Sequence, residues 1–149
     1  MENVKTASER LHVLIQIVPD LLKKITESEF SMKPAPHQWS KKEILGHLID
    51  SAANNHQRFI RIQYEHEPLI HYDQNQWNTH NHYDRRDSRE LVDFWTLYNR
   101  HLYETIRFIP EENLLLNGTG RDGVKHPLSF YIVDYVGHLE HHLRQLISY

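Results

Sequence analysis

The sequence contains no cysteine among its 149 residues, and this absence removes several kinds of chemistry at once. Disulfide bonds, thiolate zinc sites and a cysteine nucleophile are all excluded, and the absence fits a reducing compartment. The chain also has no apolar run of membrane-spanning length, and its first ten residues, MENVKTASER, lack the pattern of a secretory signal. We therefore expect a cytoplasmic protein with no membrane partner.

Positive charge is not in excess either. The chain has 17 Lys and Arg against 20 Asp and Glu, which gives a formal net charge of −3 with neutral histidines. Proteins that bind nucleic acid backbones need clustered basic residues, so we expect no nucleic-acid partner. The length suits a single domain, residues 1–149, that buries a core without disulfides or a metal. Histidine, in contrast, is abundant, with 13 residues.

Four segments have apolar residues at the three-and-four spacing of amphipathic helices. The first covers residues 11–25 and contains Pro19, which should kink or restart the helix. The second begins at Ser40, the N-cap of a predicted capping box. The third has its apolar residues between positions 91 and 109, and the fourth starts after Pro127, a residue favoured early in helices.

The segments between these helices are polar. A connection from about residue 67 to residue 88 is long enough that we expect it to be functional or to cross the bundle. The glycine-rich segment 117–127 predicts a turn or a short extended excursion, and no sizeable strand ladder is expected. The predicted fold class is all-α, a four-helix bundle with one long crossover connection between the second and third helices.

The chain also contains a degenerate repeat with an offset of 91 residues. The tripeptide Gly-His-Leu occurs at 46–48 and again at 137–139, and the Val-Pro-Asp segment 18–20 corresponds to Ile-Pro-Glu at 109–111. We interpret the repeat as two helical hairpins. If they pack about a pseudo-twofold axis, the two glycines lie at matching depths and the two histidines approach one another. Because glycine costs a helix about 1 kcal/mol relative to alanine, we also expect a backbone or ligand to pass close to both glycines.

The histidines predict a metal site. His138 and His142 are four residues apart on a predicted helix, so they project from one face and can reach one ion. The repeat adds His47 as a third ligand, because His47 corresponds to His138. The residue that corresponds to His142 is Ser51, so the first half contributes only one histidine. Three histidines leave a coordination position for water or substrate, which is typical of catalytic sites. In a sequence this rich in histidine, two histidines can also lie four residues apart by chance. His138 and His142 would then be an ordinary surface pair, and His47 would be a packed histidine unrelated to them.

Other polar residues share the predicted helix faces with these histidines. At 100° per residue, one group follows His47 along the second helix and another lies beside His138 on the fourth. We predict that these residues bind polar groups of a substrate: Ser51, Asn54, Arg58, Tyr131 and Tyr135. Asp134, one turn before His138, either orients that imidazole through a hydrogen bond or faces solvent.

Two segments resemble a known family: WSKKEILGHLIDS at 39–51 and YVGHLEHHLRQ at 135–145. They are similar to the DinB/YfiT-like superfamily of metal-dependent four-helix-bundle proteins. The resemblance implies an up-down-down-up bundle, often dimeric, so a homodimer is expected. It also implies a divalent metal bound by one histidine of the second helix and an H-x-x-x-H pair of the last, which correspond to His47, His138 and His142.

Members of this superfamily include bacillithiol S-transferases and a mycothiol-dependent isomerase. The resemblance therefore implies a zinc or nickel site and a low-molecular-weight thiol cosubstrate that is transferred to an electrophilic small molecule. The absence of cysteine agrees, because the nucleophilic sulfur must then come from the cosubstrate. Three alternatives stay open at this point: a metal-dependent hydrolase, a non-catalytic metal- or ligand-binding bundle, and a metal-free structural bundle.

Overall fold

The computed structural model describes residues 2–149, and over this range the chain is mostly helical. The expected domain begins one residue earlier, at Met1, which lies outside the described residues. The helices are α1 (Glu2–Leu22), α2 (Glu27–Ser31), α3 (Lys41–Arg61), α4 (Gln74–Asn81), α5 (Ser88–Arg107) and α6 (Leu128–Leu146). Two 3₁₀ turns, Tyr83–Arg85 and Glu111–Leu115, and two antiparallel strands, β1 (Asn117–Thr119) and β2 (Lys125–Pro127), complete the fold.

The four long helices form the predicted four-helix bundle. Helix α1 packs against α5 and α6, and α3 packs against the same two helices. Their apolar faces meet in one core, in which Leu11, Phe59, Trp95 and Leu139 have no exposed surface. Burial of each such side chain stabilises the fold by roughly 1.5–3 kcal/mol. Among the helices of residues 2–149, none combines the length and the apolarity that crossing a membrane requires.

The predicted starts of α3 and α6 are confirmed, whereas α1 begins at Glu2, nine residues before its predicted segment, and does not restart at Pro19. The Ser40 hydroxyl accepts from the Glu43 amide (3.2 Å), and the Glu43 carboxylate accepts from the Ser40 amide (2.7 Å), which completes the capping box of α3. Pro127 is the N-cap of α6. Helix α1 runs past Pro19 to Leu22, because a proline in the last turn removes a single hydrogen bond and the Lys23 amide still donates to the Pro19 carbonyl (3.0 Å).

The crossover between α3 and α5 is more ordered than the sequence predicts. It contains α4, whose N-cap Asp73 accepts from the amides of Asn75 and Gln76, both at 3.0 Å. The Asn78 amide group donates to the carbonyl of Glu43 (2.8 Å), which fixes α4 against the start of α3. With eight mostly polar residues, α4 is too short and too polar to produce a periodic apolar pattern.

The two glycines of the repeat do not lie at matching depths, and this expectation is wrong. Gly46 is buried beneath the Tyr83 ring, and a Cβ atom at Gly46 would lie 2.2 Å from Tyr83 Cδ2. Gly137 is exposed, and a Cβ atom there would have nothing of residues 2–149 within 4 Å. The difference arises because the crossover covers α3, and its Tyr83 has no equivalent over Gly137. The close approach predicted for both glycines therefore occurs at Gly46 alone, and a side chain makes it.

Candidate metal centre

Three imidazoles meet between α3 and α6. His47 comes from α3, and His138 and His142 come from α6; one ring nitrogen of each lies within 4.8 Å of the others. The Nε2 atoms of His47 and His138 are 3.1 Å apart, and the three ring centroids are separated by 4.6, 4.8 and 5.0 Å. The structure thus brings together the three histidines that the sequence analysis selected.

The core determines the direction in which these histidines point. In both helices the histidine is followed by a fully buried leucine, Leu48 on α3 and Leu139 on α6, and the leucines fix the rotation of the helices about their axes. With that rotation, His47 lies in the contact between α3 and α6 and has no exposed surface. His138 and His142 are half-buried one turn apart on the facing side of α6.

Two of the rings are held by hydrogen bonds at Nδ1. His142 Nδ1 lies 3.1 Å from Gln145 Oε1, and His138 Nδ1 lies 3.5 Å from the Ser51 hydroxyl. Both contacts leave Nε2 available, which is the arrangement found when a metal-binding histidine uses its other nitrogen for orientation. His47 Nδ1 is buried without a hydrogen-bond partner in the described chain, and the Trp39 ring covers His47 with centroids 5.1 Å apart.

Burial keeps at least two of these imidazoles uncharged at neutral pH. It lowers the pKa of His47 to about 3, and repulsion from His138 and His142 lowers it further. The pKa of His138 falls to about 4, again mainly through burial and then through His142. An uncharged imidazole has a free lone pair, so both rings are in the form that binds metals at pH 7.

The residues fit a divalent metal ion. Two nitrogen ligands at 2.0–2.1 Å from a tetrahedral ion lie about 3.3 Å apart, close to the 3.1 Å between His47 and His138. Imidazole donors suit zinc, nickel, copper and iron, and three of them leave at least one coordination position. The absence of a hydrogen-bond partner for His47 Nδ1 does not oppose this fit, because only one nitrogen of each ring is needed as a ligand.

The predicted substrate-binding residues of α3 form a polar strip that starts at this cluster. Ser51 contacts His138, as described above. Asn54 is buried and its amide group donates to a backbone carbonyl one turn earlier (2.9 Å), so that group is directed along its own helix. The Arg58 guanidinium donates to Asn55 Oδ1 (3.1 Å) and to the carbonyl of Ile70 (3.2 Å) in the crossover.

The predicted residues of α6 are placed differently from one another. Tyr131 is buried, its ring lies 5.0 Å from the Arg58 guanidinium carbon, and its hydroxyl has no partner in the described chain. Tyr135 is directed into the core, where its hydroxyl donates to Asn99 Oδ1 of α5 (2.5 Å). Asp134 is exposed; within residues 2–149 it makes no hydrogen bond to His138, although its charge opposes the lowering of the His138 pKa.

A cleft of about 570 Å³ adjoins the cluster, and no pattern in the sequence predicts it. Trp39, which covers His47, and Gln145, which contacts His142, both line this cleft. Most of its other polar lining consists of uncharged amide side chains, contributed by Gln38, Gln74 and Asn75. Gln145 could have been selected from its position three residues after His142, on the same helix face. The residues of α4 could not, because the helix itself was not predicted.

Comparisons with known proteins agree with this fold. YfiT from Bacillus subtilis, a probable metal-dependent hydrolase with an unusual four-helix bundle topology, has a TM-score of 0.81 at 21% identity, over 95% of this chain and 84% of YfiT. The mycothiol-dependent maleylpyruvate isomerase has a TM-score of 0.80 at 12% identity, over 96% of this chain and 60% of the isomerase. A variant of that isomerase gives 0.80 at 11% identity, over 98% of this chain and 61% of the variant.

These structural similarities establish the fold and no more, because the identities are low. The chain also spans only about three fifths of the isomerase. No curated protein sequence matches the chain. The family comparison is more extensive, since the DinB superfamily matches residues 10–146, a range that includes all three clustered histidines and every long helix except the start of α1. The chain therefore belongs to the DinB superfamily.

Proposed function

We propose that this protein is a metal-dependent enzyme that transfers a low-molecular-weight thiol to an electrophilic small molecule. The observation that supports the proposal most strongly is the cluster of three histidine nitrogens within 4.8 Å. His47, His138 and His142 would hold the ion, zinc or nickel, with a coordination position left for the cosubstrate. A divalent ion at this position acts as a Lewis acid and lowers the pKa of a coordinating thiol.

The surrounding residues have separate tasks in this proposal. Gln145 and Ser51 hold the imidazoles of His142 and His138 in place through Nδ1. Trp39 covers His47 and excludes water from that side of the cluster. The adjoining cleft, at about 570 Å³, has the size of a small-molecule site, and its amide side chains offer neutral hydrogen-bond donors and acceptors to the cosubstrate.

The transfer itself is a nucleophilic substitution. The sulfur of the cosubstrate forms a bond to the electrophilic carbon, while the bond from that carbon to its leaving group breaks and the leaving group takes the electron pair. The thiol proton passes to solvent. The products are a thioether, the departed anion and a proton. Because the chain has no cysteine, no protein thiol competes with the cosubstrate for the electrophile.

Metal-dependent hydrolysis is the second candidate, supported by the fold shared with YfiT. It needs water rather than a thiol to be ionised, and water is the much weaker acid, so a nearby carboxylate usually assists. Within residues 2–149 the metal-binding group contains no Asp or Glu. The buried carboxylate of Asp50 instead accepts hydrogen bonds from Tyr83 and Asn81 of the crossover. The dependence of the reaction on an added thiol separates the two candidates.

The test begins with metal-free protein reconstituted with zinc or nickel. We expect one ion per chain by elemental analysis, and formation of a thioether from 1-chloro-2,4-dinitrobenzene with at least one thiol among bacillithiol, mycothiol, glutathione, coenzyme A and cysteine. His47→Ala and His142→Ala should each lose both the ion and the activity. His66→Ala, at a side chain that is 94% exposed, is the matched control and should keep both.

Two results would contradict the proposal. Cleavage of ester or amide substrates without any thiol, in the absence of thioether, would identify a hydrolase. A stoichiometric ion with no turnover in either assay would identify a binding protein.

The expectation of a single-domain, cytoplasmic homodimer also stays a prediction, and analytical ultracentrifugation of the reconstituted protein measures its oligomeric state directly.

A further inference from the structure

Arg58 is a half-buried cation without a counter-anion in the part of the chain that the structure describes. Its guanidinium has five N–H donors, and the two acceptors it reaches, Asn55 Oδ1 at 3.1 Å and the Ile70 carbonyl at 3.2 Å, are both neutral. The Nε–H group is buried and has no partner, and within residues 2–149 no carboxylate lies within 4.0 Å of the guanidinium. Withdrawing a cation from water without an anion is unfavourable, so the arrangement points to an anion that comes from a ligand.

Tyr131 is a second unpaired donor at the same place. Only 5% of this residue is exposed, and its hydroxyl has no partner in the described chain. The ring lies 5.0 Å from the Arg58 guanidinium carbon, so the two side chains pack together although they come from α3 and α6. A buried hydroxyl left unpaired costs about 1–3 kcal/mol, and a ligand oxygen would remove that cost.

A continuous polar path joins this pair to the histidine cluster. The Asn55 amide group, which accepts from Arg58, also donates to the Ser51 hydroxyl (3.3 Å), and this hydroxyl lies 3.5 Å from His138 Nδ1. Along α6, Tyr131 precedes His138 by two helical turns, a rise of about 10 Å. A small electrophile, together with the attacking sulfur at one end and the hydrogen bonds to Arg58 at the other, can span that distance.

The charges of the site favour the same orientation. The imidazoles bring no negative charge to a divalent cation, and Arg58 adds a further positive charge at the far end of the polar path. Positive charge at both ends of the polar path attracts anions. We propose that Arg58 and Tyr131 bind the carboxylate of the electrophilic substrate, so that the enzyme prefers acidic electrophiles; the reaction, though not the binding, rests on the proposed thiol transfer.

The binding geometry follows from the donors that the fold leaves free. Arg58 presents Nε–H and one terminal N–H side by side, which matches the two oxygens of a carboxylate. The Tyr131 hydroxyl donates a third hydrogen bond to the same group. The contact from Arg58 to the Ile70 carbonyl is made by Nη2, which carries two hydrogens, so Nη2 can keep this contact and donate its second hydrogen to the carboxylate.

Binding is tested first, with unreactive probes and without thiol. Calorimetric titration of the zinc-loaded protein compares 3-nitrobenzoate with 3-nitrobenzamide, and we expect the acid to bind at least about 10-fold more tightly. Arg58→Gln should bring the affinity for the acid down to that for the amide, and Tyr131→Phe should reduce the difference. Arg100→Gln, an exposed arginine on α5, is the matched control and should bind like the unaltered protein. Equal affinity for the two probes in the unaltered protein would overturn the proposal.

Selectivity in the reaction is tested second, with 4-chloro-3-nitrobenzoate and its methyl ester. Each rate is divided by the uncatalysed rate with the same thiol, which corrects for the different reactivity of the two probes. The unaltered enzyme should favour the acid by about 10-fold or more in kcat/KM. Arg58→Gln should lose this preference mainly through KM, and Arg58→Lys, which keeps the charge without the fork, should retain part of it. If Arg58→Gln lowers kcat/KM equally for the acid and for the ester, Arg58 has a structural role and does not bind the carboxylate.

The two experiments separate this inference from the proposed function. Preferential binding of 3-nitrobenzoate together with no thioether from any thiol would refute thiol transfer and leave the carboxylate site standing. Thioether formation without preference for the acid would do the reverse. If circular dichroism shows that Arg58→Gln does not fold, Tyr131→Phe decides, because it removes a single oxygen atom and keeps the ring under Arg58.

Discussion

Substitution of the two repeat-related glycines by alanine should have opposite effects on stability. Both glycines lie inside helices, and both precede a histidine of the candidate metal centre. At Gly46 the added methyl group would lie 2.2, 2.3 and 2.6 Å from atoms of the Tyr83 ring. At Gly137 the same methyl group would meet nothing of the described chain within 4 Å. Comparing the two substitutions therefore separates two contributions to stability. The gain in helix propensity is common to both positions, whereas the packing cost arises only at Gly46.

The magnitude for Gly46→Ala follows from the movement that Tyr83 must make. Ordinary contact begins at 3.4 Å, so the ring has to retreat by about 1.2 Å, the difference from 2.2 Å. Overpacking of this kind costs about 1–3 kcal/mol. The retreat also breaks the hydrogen bond from the Tyr83 hydroxyl to Asp50 (2.5 Å), which adds about 1–3 kcal/mol. Alanine recovers about 1 kcal/mol of helix propensity, and a net loss of about 3 kcal/mol remains.

Gly137→Ala lacks the packing cost and should gain about 1 kcal/mol. For a chain of this length, 1 kcal/mol changes Tm by about 2–4 °C, so Gly46→Ala should melt about 6–12 °C lower and Gly137→Ala slightly higher than the unaltered protein. Thermal unfolding followed by circular dichroism, with urea titration for the free energies, measures both. Equal stabilisation by the two substitutions would refute the placement of Tyr83 on the backbone of α3.

Three further predictions concern charged and polar groups. Burial raises the pKa of Asp50 from 3.8 to about 6, so the folded chain holds this proton more tightly than the unfolded chain. The stability that the proton confers is therefore complete below about pH 4 and is lost as the pH rises through about 6. Relative to Asp50→Asn, urea titrations should thus show the protein losing roughly 3 kcal/mol between about pH 4 and about pH 7. Glu27→Gln removes the carboxylate that pairs with Lys42, a side chain only 3% exposed, and should lower the free energy of unfolding by about 1–3 kcal/mol in urea titrations. This is below the usual cost of breaking a fully buried pair because Glu27 itself is half-exposed. An unchanged free energy of unfolding would contradict the pairing. Gln145→Ala removes the partner of His142 Nδ1 and should weaken zinc binding about 10- to 100-fold in competition with a chelating dye, whereas unchanged affinity would show that Gln145 does not orient the ring.

The sequence predicted the bundle and the histidine cluster because both depend on regular spacing. Apolar residues at three-and-four intervals located the four long helices, and the distance of four residues between His138 and His142 placed both on one face. The convergence with His47 needed more than local pattern. It came from the offset of 91 residues between the two Gly-His-Leu segments, which relates positions on two helices that pack against each other.

The environment of the cluster could not be predicted, because irregular segments build it. The crossover places Tyr83 on α3, and the segment before α3 places Trp39 on His47; neither contact leaves a periodic signal in the sequence. The repeat also failed to predict the different burial of Gly46 and Gly137, since the same tripeptide is covered in one half and open in the other. Helix phase alone likewise put Tyr135 beside the histidines, whereas its hydroxyl reaches Asn99 on α5.

The meeting of His47 with His138 has a consequence for the folding of the molecule. The two residues are 91 positions apart, so an ion held between them is a removable cross-link between the two halves of the chain. Its contribution to the free energy of unfolding grows with the logarithm of the free metal concentration and reaches about 4 kcal/mol at a thousand times the dissociation constant. Chelation would therefore weaken the contact between α3 and α6, and hydrogen exchange would record that weakening at the amides beside the histidines.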